Sequence, residues 1–177
     1  MSLQLRMKLT DLEQEETRLV ESRGVFWQPK KLEVIGNIKD ELKAYLEAQG
    51  LQLEYKDKVI NGIYNGQNFI SVNLTDFAPA DFGQDGVIFI TYNNKKYSVV
   101  LRLDRPDNGS SIRSFSGTER DILEQKIKYY EENLLPKLRQ DAMKQLPGTY
   151  TLHVSQDGKG QPEKYNSIDS LLKSFLD

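Results

Sequence analysis

DGVIFITYNNKKYSVVLRLD, residues 85–104, reads as two β-strands folded about a polar tip. Apolar and β-branched residues alternate with others at the two-residue period of a strand that buries one face. Pairing around Asn94-Lys95 sets Tyr92 against Tyr97, Ile90 against Val99 and Ile88 against Leu101. The other face then carries Thr91 with Ser98, Phe89 with Val100 and Val87 with Arg102. One register serves both faces, as a hairpin requires, because a one-residue slip would invert every side chain.

An earlier stretch, IYNGQNFISV at 63–72, echoes TYNNKKYSVV at 91–100. Its Asn65-Gly66 pair is the strongest short hairpin signal, since both central residues of a type I′ turn need positive φ. Two copies make a weak repeat, so shared hairpin chemistry explains the echo better than a duplicated binding loop. Leu51, Leu53 and Tyr55 extend the β region at its start. TYTLHVS at 149–155 supplies a further alternating strand near the C-terminus.

Helices are expected on either side. Leu3, Leu5, Met7 and Leu9 alternate like a strand, and TDLE at 10–13 then resembles a capping box that opens a helix reaching Ser22 or Arg23. Residues 24–36, with Gly24, Pro29 and Gly36, read as irregular or short-strand structure. Asn37 is expected to cap a second helix lined by Ile38, Leu42, Tyr45 and Leu46 and closed by Gly50. Over 118–146, Leu123, Ile127, Tyr130, Leu134 and Leu138 mark one face of a long helix. Pro136 removes a backbone donor from its interior, which predicts a kink or break near Asn133. DGKGQPEK reads as a mobile connector before a terminal helix with Ile168, Leu171, Leu172 and Phe175 inward. The fold class is therefore α+β: an antiparallel β meander of about five to six strands, packed by a long Pro-kinked helix and by N- and C-terminal helices. The expectation is one domain over 1–177, with 1–36 as a loosely attached N-terminal segment.

Composition narrows the chemistry. With no cysteine, disulfides, thiolate metal sites and cysteine nucleophiles are excluded. Lys and Arg number 24 against 26 Asp and Glu, a net of −2, so any anionic partner must meet a local patch rather than a global field. The longest purely apolar run, VIFI at 87–90, is far short of the roughly 20 residues of a membrane span. A cytoplasmic protein with no membrane contact is expected.

The single histidine, His153, lies opposite the apolar face of its strand, with no GxSxG elbow to serve. DFG at 81–83 stands without the rest of the kinase motif set. Asp85 as the first acid of a metal-nuclease core lacks the acid-x-lysine on the following strand, and Glu54-Tyr55-Lys56 lacks a strand acid upstream. No catalytic residue, metal ligand or cofactor is assigned. Trp27, with Phe26 and Pro29, suits a buried anchor better than an exposed partner patch.

Two candidate binding regions remain. Ser110, Ser111, Arg113, Ser116, Gly117 and Thr118 precede the long helix, where free amides, hydroxyls and a guanidinium would hold an anion. The competing reading is a connector closed by a capping box of Ser116 with Glu119, whose charge also repels an anion. Lys95, Lys96, Arg102 and Arg105 form the second region, a possible nucleic-acid patch. The leading functional expectation is a non-catalytic interaction or accessory protein acting through protein–protein contacts, with a homodimer among the forms expected. The alternatives are a nucleic-acid-associated module using the Arg/Lys patch, and an enzyme or binding protein for a small phosphorylated ligand. No motif assigns the chain to a family.

Overall fold

The computed structural model describes residues 2–74, 85–106, 114–156 and 159–176. Two compact units emerge, one of residues 1–29 with 105–147, the other of residues 30–104 with 148–177. The loop at 75–84, with the DFG tripeptide, lies outside the described residues.

The first unit contains the start of α1 (Ser2–Ala48), then α2 (Glu119–Tyr129), a π-helical turn (Tyr130–Leu134) and α3 (Leu135–Asp141). The expected strand at 3–9, the irregular stretch at 24–36 and the separate helix from Asn37 are all one helix instead. The reason is a three-and-four spacing that runs through Leu5, Leu9, Leu12, Glu16, Leu19, Arg23 and Trp27, each of them buried or half-buried. Two members of that stripe are charged, which disguises it in the sequence, and both have partners in this unit. The Tyr130 hydroxyl donates to Glu16 at 2.7 Å, and the Arg23 guanidinium lies 4.7 Å from the Trp27 ring centre. Burial, and then Glu16, hold the Tyr130 phenol well above its ordinary range. Trp27 is a buried anchor whose indole donates to the Lys144 carbonyl at 2.8 Å. Leu134, Leu135 and Leu138 complete the core, with Leu12, Leu19 and Tyr129 packed against them.

The break expected near Asn133 is the π-helical turn. Pro136 has no N–H to return, and the Leu135 amide reaches back to the Tyr130 carbonyl, five residues away. Proline then occupies the first turn of α3, where a missing donor costs little.

The second unit holds the rest of α1, a seven-stranded antiparallel sheet in the order β1-β2-β3-β4-β5-β6-β7, and α4 (Ile168–Leu176). The strands are β1 (Gln52–Lys56), β2 (Val59–Tyr64), β3 (Gln67–Asn73), β4 (Gly86–Tyr92), β5 (Lys95–Leu103), β6 (Tyr150–Gln156) and β7 (Lys159–Tyr165). The strand number exceeds the expectation because two hairpins are inconspicuous in the sequence. Asp57, at φ 55°, turns β1 into β2, and the segment read as a connector pairs with β6 as β7. Pro162 suits β7 as an edge strand, where a missing donor interrupts no ladder.

Both echoing stretches are type I′ hairpins, with positive φ at Asn65 and Gly66 and at Asn93 and Asn94. The second register differs from the expected one by two residues. Ile90 pairs Tyr97, Ile88 pairs Val99 and Gly86 pairs Leu101, because the turn is Asn93-Asn94 rather than Asn94-Lys95. A two-residue shift keeps every side chain on its face. Ile60, Val72, Ile88, Ile90, Val99, Leu101, Leu152 and Val154 make the buried face of the sheet. In the same unit α1 buries Val34, Ile35, Ile38, Leu42 and Leu46, while α4 buries Ile168, Leu171 and Leu172. Full burial of each such side chain contributes about 1.5–3 kcal/mol.

A continuous helix makes a direct prediction for its glycines. A Cβ at Gly24 or Gly36 would meet nothing within 4 Å. Each Gly→Ala substitution should therefore raise stability by about 0.5–1 kcal/mol through helix propensity. Urea unfolding checks this, and a loss at both positions would contradict a helical 24–36.

Candidate functional site

The most deeply buried charge is structural. Asp85, at 1% exposure, lies 3.2 Å from the Lys31 ammonium of α1 and accepts the Leu103 amide at 2.8 Å. It holds β4 and β5 to the helix rather than a metal ion. Asp141, the other buried acid among the described residues, takes Lys144 at 2.7 Å. Among the described residues, no group of three or more metal-ligating side chains is placed to hold an ion.

The end of α2 is closed from within. Thr118 is the N-cap and Asp121 the reciprocal partner, so the box stands two residues beyond the expected Ser116 and Glu119. The Asp121 carboxylate accepts the Thr118 amide at 2.9 Å and its hydroxyl at 2.7 Å. Those bonds hold the carboxyl below its usual range. Glu119 pairs with Arg6, and Gly117, at φ 125°, sits against the Asp121 side chain. Of the candidate anion residues, Ser116, Gly117 and Thr118 thus stand beside two carboxylates. Ser110, Ser111 and Arg113 lie outside the described residues.

The basic candidates separate. Lys96 and Arg102 point from the same face of β5, the one opposite the core, because an even spacing keeps them together. Lys95 belongs to the other face, and Arg105 belongs to the helical unit, where it faces Arg23. The strand pairing brings two further groups to the outer face. Val100 pairs His153, and His153 pairs Lys164. Partial burial first, and then Arg102 and Lys164, lower the His153 pKa from its ordinary value. Neither residue was recognisable as part of a patch without the β6–β7 register.

Phe89 stands in the middle of this face, 42% exposed, paired with Asn73 on one side and Ser98 on the other. Beside it runs a polar row, Asn61, Ser71, Thr91 and Lys96, one residue from each of β2 to β5. Asn68 donates to Ser71 at 2.8 Å, and Ser71 donates to Asn61 at 2.7 Å, which fixes these side chains in place. The β2–β3 tip overhangs the β4–β5 turn, since β3 pairs β4 only from Ile70 onward. The step leaves an open cleft of about 310 Å³, lined by Gln67, Asn68, Phe69, Ser71, Thr91, Asn93 and Asn94 among others. That volume lies at the small end for a small-molecule site. The two echoing hairpins are therefore not duplicate loops, yet their tips share one cleft. In the helical unit a second cleft, of about 280 Å³, lies beside Phe115 and Tyr129.

No protein-family model, curated protein or solved structure matches this chain. Among the described residues, no helix is long and apolar enough to cross a membrane.

Proposed function

We propose that this is a non-catalytic interaction or accessory protein of the cytoplasm, acting through contacts with another protein chain. The observation that carries this reading is the solvent face of α1. Leu3, Met7 and Val25 are 68%, 60% and 77% exposed. At about 100° per residue they fall within roughly 40° of one another, on the side opposite Leu5, Leu9 and Trp27. Between them the same face carries Asp11, Gln14, Arg18 and Glu21, so α1 displays two small apolar patches, Leu3 with Met7 and Val25 about 27 Å further along, which a partner lying along the helix would cover together. The buried acids support the same reading, because Asp85 and Asp141 are engaged in structural pairs.

Affinity purification from source cells, followed by sedimentation, tests the proposal. The wild-type chain should carry a stoichiometric partner, either a second copy or another protein. Met7→Glu with Val25→Glu removes two apolar side chains worth at least about 1.5 kcal/mol each, so association should fall about 100-fold. Both sites are exposed, and the variant's thermal unfolding should match the wild type. Undiminished association of the folded variant would overturn the reading.

A further inference from the structure

We infer that the outer face of the sheet is a binding platform for single-stranded nucleic acid, with Phe89 as the stacking residue and Lys96, Arg102 and Lys164 as the phosphate contacts. This surface shares no residue with the proposed protein contact on α1, and neither reading depends on the other.

Charge is the first support. The outward residues within β3 to β7 include three cations and no Asp or Glu, although the whole chain has a net charge of −2; the carboxylates Glu54, on edge strand β1, and Asp104, which follows β5 and accepts the Thr149 hydroxyl, stand at the margins of the face. Such segregation suits a polyanion. Lys96 and Arg102 are six residues apart along one strand, about 20 Å, which separates phosphate contacts by more than one nucleotide.

The aromatic ring decides among polyanions. Phe89 is exposed at the centre of the face, between the hydroxyl of Ser98 and the amide of Asn73. A flat ring amid cations and neutral donors stacks an unpaired base, which a duplex does not offer and an acidic peptide lacks. The cleft continues this surface, because Thr91 lines it and pairs with Lys96. Its side-chain amides offer both donors and acceptors, the complement of a base edge.

The test is fluorescence anisotropy with a labelled twenty-nucleotide oligothymidine at about 50 mM salt, beside a duplex of equal length and a polyglutamate peptide. Binding with a Kd on the order of 10 μM is expected, since sequence-independent binding typically falls near that range. The logarithm of the association constant should fall with log salt at a slope of about −2, as three released counterions require on a single strand. Phe89→Ala should weaken the single strand about tenfold, the scale of one base–aromatic stack, without changing the slope. Arg102→Ala should reduce the slope by about 0.7. Absence of binding, equal binding of duplex or polyglutamate, or an unaffected Phe89→Ala protein would each overturn the inference. Both substituted residues are exposed, and matching thermal unfolding confirms that the variants are folded.

Discussion

Asp85→Ala should lower the stability of the chain by about 3–5 kcal/mol, the range for breaking a buried ion pair by removing one partner. The loss has two sources. Lys31, only 12% exposed, would keep a charge with no carboxylate beside it, and the Leu103 amide would lose its acceptor. Asp85→Asn separates the two, because an amide oxygen can still accept from Leu103 but carries no charge for Lys31. It should fall between wild type and Asp85→Ala. Replacing both charges, as in Lys31→Met with Asp85→Asn, should recover part of the loss, since it removes the stranded ammonium. Urea unfolding of the four proteins measures this order. A cost below about 1 kcal/mol for Asp85→Ala would mean that water screens the pair as it screens surface pairs.

Ile90→Ala should cost about 2–4 kcal/mol, as truncation of a fully buried side chain does. Ile90 is 0% exposed, between Val72 of β3 and Tyr97 of β5, with Ile88 and Val99 buried on the same face. Asn94→Ala provides the contrast at the tip of the same hairpin. Its φ of 60° suits asparagine better than alanine, so a cost of about 1 kcal/mol is expected from the backbone alone. Chemical denaturation of the two variants checks the difference. Equal losses would mean that the hairpin core is not packed as described.

The hairpins were legible because their signals are local. Asn65-Gly66 announces its own turn, and alternation around Ile88 and Ile90 identifies the buried face without any knowledge of register. The two-residue error in pairing β4 with β5 arose at the turn. Asn93-Asn94 and Asn94-Lys95 preserve the same faces, and only backbone φ separates them. Pro136 was equally local, because a missing donor disturbs the helix wherever it lies.

The helix α1 was obscured for the opposite reason. Its buried stripe passes through Glu16 and Arg23; Glu16 meets its partner Tyr130 only through folding, and Arg23 finds Trp27 one turn along only once the segment is helical. Gly24, Pro29 and Gly36 each weaken local helix propensity, and packing overrides them. The even spacing of Lys96 and Arg102 was visible, whereas Lys164 joins them only through the pairing of β5, β6 and β7. Capping of α2 followed Thr118 and Asp121 because Thr118 holds the extended conformation that an N-cap needs.

The central claim, that the solvent face of α1 contacts another protein chain, is tested most directly by site-specific photocrosslinking in source cells. A photoreactive residue at Met7 or Val25 should give one discrete higher-mass adduct, and the same residue at exposed Lys137 of α3 should not. Adducts of equal yield from all three positions, or none from Met7 and Val25, would contradict the claim.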